Sequence, residues 1–136
     1  MKLIVCVDDK FGMLFGGRRQ SKDCALRENM LELTQNSLLW MNAYTAAQFE
    51  DKADNIRIDE ACLEKVGAEE YCFAENSDIV PYADRVRCVI LYHWNRTYPS
   101  DSRFPIELFA DRWHLESVTE FSGTSHETIT REVYVL

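Results

Sequence analysis

The chain has 136 residues, of which 46% are hydrophobic and 28% charged, and carries a formal net charge of −8. That length suits one domain over residues 1–136 with a core of its own, and the acidic balance argues against nucleic acid, whose phosphate backbone requires a basic face. No apolar run approaches the ~18 residues of a transmembrane helix, so a membrane is not an expected partner either.

In chain order, Leu3–Val7 is a β-branched run closed by Asp8-Asp9, as expected for a strand buried on both faces. "FGMLFGGRR" follows, with glycines at 12, 16 and 17, and reads as a loop or turn region. Ser21 is a suitable N-cap for a helix from Lys22 to about Gln35, whose Ala25, Leu26, Met30, Leu31 and Leu33 recur at helical spacing. Ser37–Asn42 reads as a second strand, Thr45–Lys52 as a short helix and Asn55–Ile58 as a third strand. Asp59 caps a predicted helix over Glu60–Val66, ended by Gly67. Tyr71–Ala74 is a fourth strand, residues 76–82 allow one helical turn, and Val86–Trp94 is a long fifth strand. Trp113–Glu120 and Thr128–Val135 are two closing strands joined by "FSGTSHE". Strands and helices alternate in the front half and strands alone fill the back half. That pattern predicts an α/β fold with a mostly parallel sheet and an antiparallel C-terminal edge strand.

The back half resembles the dihydrofolate reductase family. "PYADRVRCVILYHW", then "RFP", "DRWHLESVTEF" and "ETITREVYVL" follow the order of that family's closing segment, covering Val80 to Leu136. "MKLIVCVDDKFGM" and "NSLLWMNAYTAAQFE" are similar to its first strand and to its second strand with the helix behind it. The resemblance implies a three-layer α/β/α domain, shortened here between "NIRI" and "EACLEKVG". It also implies a bound NADPH, a folate pocket and an acidic proton donor, and the residues at those places depart from the family pattern.

Where the family carries a Gly-Arg-x-Thr turn against cofactor phosphate, this chain has Asn42, Ala43 and Thr45, with only the threonine kept. Where the family carries a Gly-Gly pair beneath the pyrophosphate, it has Ala74 and Glu75. A Cβ hinders close approach there, and a carboxylate repels phosphate by about 1 kcal/mol at ~4 Å even in bulk water. On the folate side the Pro-Trp pair is absent and Asp23 is the nearest acid. Asp23 reads either as a proton donor or as a first-turn residue favoured by the helix dipole.

Other constellations offer little chemistry. Gly16-Gly17 before Arg18-Arg19 suggests an anion-holding turn but fits neither nucleotide-binding spacing. His93 is a strand residue with the alternative of bonding a flat ligand, while His114 and His126 are expected to be exposed. No zinc-ligand spacing occurs, so no metal is expected. There is no G-x-S-x-G elbow. Five dispersed cysteines read as reduced core thiols of a cytoplasmic protein, with Cys24 the best placed as a nucleophile. The N-terminus is expected to be a strand rather than a signal peptide. Trp40, Tyr44, Tyr92, Trp94 and Trp113 are core aromatics or, where exposed, a partner surface. The leading expectation is a reductase-like domain with a degenerate site and no nicotinamide cofactor. It would bind a small flat or anionic molecule, a protein partner or a second copy of itself. The competing expectation is an NAD(P)H-dependent pterin- or flavin-type reductase with a rearranged site.

Overall fold

The computed structural model describes residues 1–49 and 53–136. Its spine is a seven-stranded sheet in the order β5-β4-β6-β1-β7-β10-β9. In chain order these strands are β1 (Lys2–Val7), β4 (Leu39–Met41), β5 (Ile56–Ile58), β6 (Tyr71–Phe73), β7 (Cys88–His93), β9 (His114–Phe121) and β10 (Ile129–Val135). β1 lies parallel to both β6 and β7, and β4 is parallel to β5 and β6. β10 runs antiparallel to β7 and to β9, so the antiparallel C-terminal edge is a hairpin, and the outermost strand is β9, not the last one.

Alternation along β1 feeds two cores. Leu3, Val5 and Val7 face one layer with Leu63, Val66, Ile79 and Phe104; Ile4 and Cys6 face the other with Leu26, Met30, Met41 and Tyr92. Helix α1 (Cys24–Thr34) and the single turn α2 (Ala43–Ala46) cover the second face, while α3 (Cys62–Lys65) and a 3₁₀ segment, Val80–Arg85, cover the first. This is the expected three-layer α/β/α arrangement. Only Asp59–Ala61 separate β5 from α3, consistent with a short connection at that point.

Several local expectations are corrected. The glycine-bearing stretch, read as a loop or turn region, holds a turn at Gly16 and Gly17, with φ of 61° and 75°, but the residues on either side are strands, β2 (Gly12–Phe15) and β3 (Arg18–Arg19), paired as a hairpin. Positive φ at both central residues is the turn geometry that follows strand twist, and glycine adopts it at least cost. β8 (Ser102–Arg103) completes this second sheet. Helix α1 starts after Asp23, not at Lys22, because Asp23 and not Ser21 accepts the Leu26 amide at 3.1 Å. The helix expected over Thr45–Lys52 covers Ala43–Ala46, capped by Asn42 rather than Thr45; its expected end at 50–52 lies outside the described residues. Asp59 bonds the Ala61 amide at 2.8 Å, but Ala61 is the residue at the start of α3 and makes no side-chain cap.

Candidate functional site

Parallel strands direct their C-terminal ends to one edge, where α/β sheets ordinarily hold ligands. Here that edge carries Asp8 after β1, Asn42 after β4, Ala74-Glu75 after β6 and Trp94 after β7. All five are buried, between 1% and 8% exposed. The chain's own side chains meet across the edge.

Glu75 is the centre of this closure. Arg19, delivered by the β2–β3 hairpin, grips its carboxylate with two bonds, Nε to Oε2 at 2.9 Å and Nη2 to Oε1 at 3.0 Å. Thr45 Oγ1 and Gln48 Nε2 also donate to Oε1, at 2.9 and 3.1 Å. Arg19 is itself fixed: its guanidinium stacks over the Tyr44 ring at 4.1 Å, and its backbone amide bonds the Tyr44 hydroxyl. Burial works against the Arg19 charge, but the Glu75 carboxylate outweighs it and raises the guanidinium pKa. A second carboxylate does the same work at the start of α2, where Glu60 Oε2 accepts the Ala43 amide at 2.9 Å. Asn42 spends its oxygen on the Thr45 amide and its nitrogen on Asn76 Oδ1 at 2.8 Å. The Ala43 and Thr45 amides and the Thr45 hydroxyl are therefore satisfied by side chains of the protein itself.

Asp8 closes the β1 end. Its carboxylate accepts from the Lys10, Gly12 and Tyr98 amides and from Gln20 Nε2. Burial pushes its pKa up, and these four donors more than reverse that and lower it.

Asp23 closes the start of α1. It is the N-cap of α1 and also accepts from the Thr124 and Ser125 amides, at 3.0 and 2.7 Å, and from His126 Nδ1 at 3.0 Å. Burial opposes the charge, but the His126 contact and the amides of Thr124, Ser125 and Leu26 outweigh it and hold the pKa at about 2. Asp23 thus stands at the helix start, at the N-cap rather than within the first turn, with its carboxylate fully engaged. His126, expected to be exposed, is 5% exposed: it stacks on Trp94 with ring centroids 4.7 Å apart. Its Nε2 lies 3.1 Å from Ser21 Oγ and 2.9 Å from the Tyr98 hydroxyl. Sequence inspection missed His126 and Ser21 because their partner, Asp23, is 103 residues from the histidine; only the Thr-Ser-His turn after Gly123, rich in groups that bond backbone, hinted at it.

The remaining candidates separate. The Gly16 amide bonds Asp101 Oδ2 at 3.0 Å, so a carboxylate already takes the anion-holding turn. His93 pairs with Glu132 on the neighbouring strand, 19% exposed. Cys24 is exposed, but its sulfur lies 3.7 Å from the Glu28 carboxylate rather than beside a cation. Cys62 and Cys72 are buried with sulfurs 3.8 Å apart; their contact lowers the Cys62 pKa and raises that of Cys72. Tyr92 and Trp94 are core residues, as expected, while Trp113 stacks on Tyr134 at 4.0 Å. Among the described residues no cluster of three metal-ligating side chains occurs, and no helix is long and apolar enough to cross a membrane. Beyond the Arg19–Glu75 pair, a cavity of about 560 Å³ remains open, lined by Arg18, Arg19, Ser21, Lys22, Tyr44 and Ser125.

These features define the class of the fold: it is dihydrofolate reductase-like. A dihydrofolate reductase from Enterococcus faecalis, in complex with NADP(H) and RAB-propyl, matches with a TM-score of 0.66 at 12% identity, over 98% of this chain and 94% of that one. No family model and no curated protein sequence matches the chain.

Proposed function

We propose that this chain is a cytoplasmic, single-domain binding protein on a dihydrofolate reductase-like scaffold, without nicotinamide-dependent reductase activity. One observation carries the reading: Glu75 stands where the resemblance puts a glycine pair, and Arg19, Thr45 and Gln48 hold its carboxylate. A carboxylate so held satisfies the donors that a phosphate would need and repels a second anion. The ligand site is then the cavity beside the clamp, where exposed Arg18 and Lys22 with Tyr44 favour a small, anionic, flat molecule. The competing reading, an NAD(P)H-dependent pterin- or flavin-type reductase, draws on the NADP(H) bound by the Enterococcus faecalis enzyme.

Thermal unfolding with NADPH and with NADH separates the two. A ligand at a hundred times its Kd adds about 2.7 kcal/mol, which for a chain of this size raises Tm by roughly 9 °C. The expected result is no shift with either nucleotide and no NADPH oxidation with dihydrofolate. A shift of that size accompanied by turnover sinks the proposal.

A further inference from the structure

Closing the cleft requires Asp23 and His126 to meet, but it does not require what lies on the other side of the imidazole. Asp23 Oδ2, His126 Nδ1, His126 Nε2 and Ser21 Oγ form one continuous chain of hydrogen bonds, 3.0 Å long at the acid and 3.1 Å at the serine. An ionised carboxylate only accepts, so Nδ1 carries a proton, and in the neutral ring Nε2 then offers its lone pair. The Asp23 and His126 side chains are 0% and 2% exposed, whereas Ser21 is half-buried and opens into the cavity of Arg18, Lys22 and Tyr44. An accessible hydroxyl, a buried base and a buried orienting acid are the arrangement that activates a serine. It is recognised by geometry and roles rather than by motif, so the missing G-x-S-x-G is no objection. Trp94 fixes the ring plane by stacking, and the Tyr98 hydroxyl shares Nε2 with Ser21 in the resting state.

We propose that Ser21, His126 and Asp23 are nucleophile, base and orienting acid for hydrolysis of small, negatively charged carboxylic esters. The inference rests on the cavity beside the Glu75 clamp being the ligand site. Ser21 Oγ bonds to the ester carbonyl carbon while its proton passes to His126 Nε2. The ester C–O bond then breaks, and the alcohol leaves with that proton. Water next adds to the acyl carbon and gives a proton to Nε2. The acyl–Ser21 bond breaks, the proton returns to Ser21 Oγ, and a carboxylic acid is released. Only ester and water are consumed. Arg18 and Lys22 attract the substrate's charge and offset the charge that builds on the tetrahedral oxygen.

The test uses the full chain with two chromogenic phenyl esters, one of a dicarboxylic acid whose second carboxylate is free and one of acetic acid. A fluorophosphonate reagent is run beside them, with the labelled residue located by mass spectrometry. Expected are label on Ser21, hydrolysis favouring the anionic ester about tenfold in kcat/KM, and at least about a hundredfold loss in Ser21→Ala with Tm unchanged. A rate that rises with pH to a plateau, lost in Ser21→Ala, is expected of a histidine base. Arg18→Ala with Lys22→Ala should lower kcat/KM for both esters, and more for the anionic one, whose KM should also rise. Label on another residue, or full activity in Ser21→Ala, overturns the proposal. If the free dicarboxylic acid raises Tm but neither ester is cleaved, the hydrolytic role falls and the binding cavity stands. If it gives no shift and neither ester is cleaved, both fall.

Discussion

At the scale of single residues, the site is organised by carboxylates placed where a ligand would otherwise supply charge. The Glu75 carboxylate accepts four donor contacts in one pocket: two from Arg19 and one each from Thr45 and Gln48. Removing it strands a guanidinium whose side chain is only 21% exposed. Breaking such a pair by deleting one partner costs about 3 kcal/mol. Glu75→Ala is therefore expected to lower stability by about that amount in urea unfolding. Inorganic phosphate should restore more stability to Glu75→Ala than it adds to the parent chain. Equal phosphate responses would show that Glu75 does not occupy an anion site. Asp23 gives a prediction in pH. Its folded pKa of about 2 lies below the ordinary aspartate value near 3.9, so its contribution is complete above about pH 4 and disappears as pH falls toward 2. The amount is about 2 kcal/mol. Urea unfolding across that range should show the slope in the parent chain and its loss in Asp23→Asn; identical slopes would remove Asp23 from the account.

At the scale of elements, the hairpin β2–β3 matters most, because it delivers Arg19 to Glu75 and Arg18 to the cavity. Gly17 at φ 75° has no heavy atom within 4 Å of a would-be Cβ, so space is not the constraint there and backbone conformation is. Gly17→Val is expected to cost about 1–2 kcal/mol, and Gly17→Asn distinctly less, since asparagine tolerates left-handed backbone. Thermal unfolding of the pair checks this; equal losses would mean the turn is not held in that conformation. The same hairpin marks the limit of what the sequence made legible. β1 and β7 were readable because burial on both faces leaves an unbroken apolar run, and α1 because Leu26 and Met30 repeat at helical spacing. β3 and β8 have two residues each, too few for any periodicity to register, so the stretch reads only as a loop or turn region. The cap of α1 reads as Ser21 in the sequence and is Asp23 in the structure. The choice is made by the Thr124 and Ser125 amides, about a hundred residues away. Ala74 and Glu75 were legible as departures from a resembling pattern, but what fills the space was not, because Arg19 comes from the β2–β3 hairpin and Thr45 and Gln48 from the α2 segment, both distant from Glu75 in sequence.

At the scale of the whole molecule, the C-terminal strand is internal. β10 pairs with β7 on one side and with β9 on the other, over Thr130↔His93 to Val135↔Cys88 and Ile129↔Phe121 to Val135↔His114. Ile129 is fully buried, and the Leu136 amide reaches back to Arg87 O at 3.0 Å. Chain ends ordinarily fray at little cost, but removing this one unpairs two strands at once and uncovers β7, which carries Val89, Ile90 and Leu91 at the centre of both cores. The β9–β10 connection also supplies Thr124, Ser125 and His126, so unpairing β10 frees that connection and loosens two of the amides and the imidazole that face the buried Asp23 charge. A buried carboxylate with loosened partners and an opened sheet together exceed what a marginally stable fold can absorb. A chain ended after Thr128 is thus expected to lack a cooperative unfolding transition, whereas one lacking only Leu136 should keep it. Adding the missing segment 129–136 as a peptide should restore a transition in proportion to its concentration. A shortened chain that melts cooperatively on its own would mean that the parallel core stands without its antiparallel edge, and that Asp23 keeps its charge partners without β10.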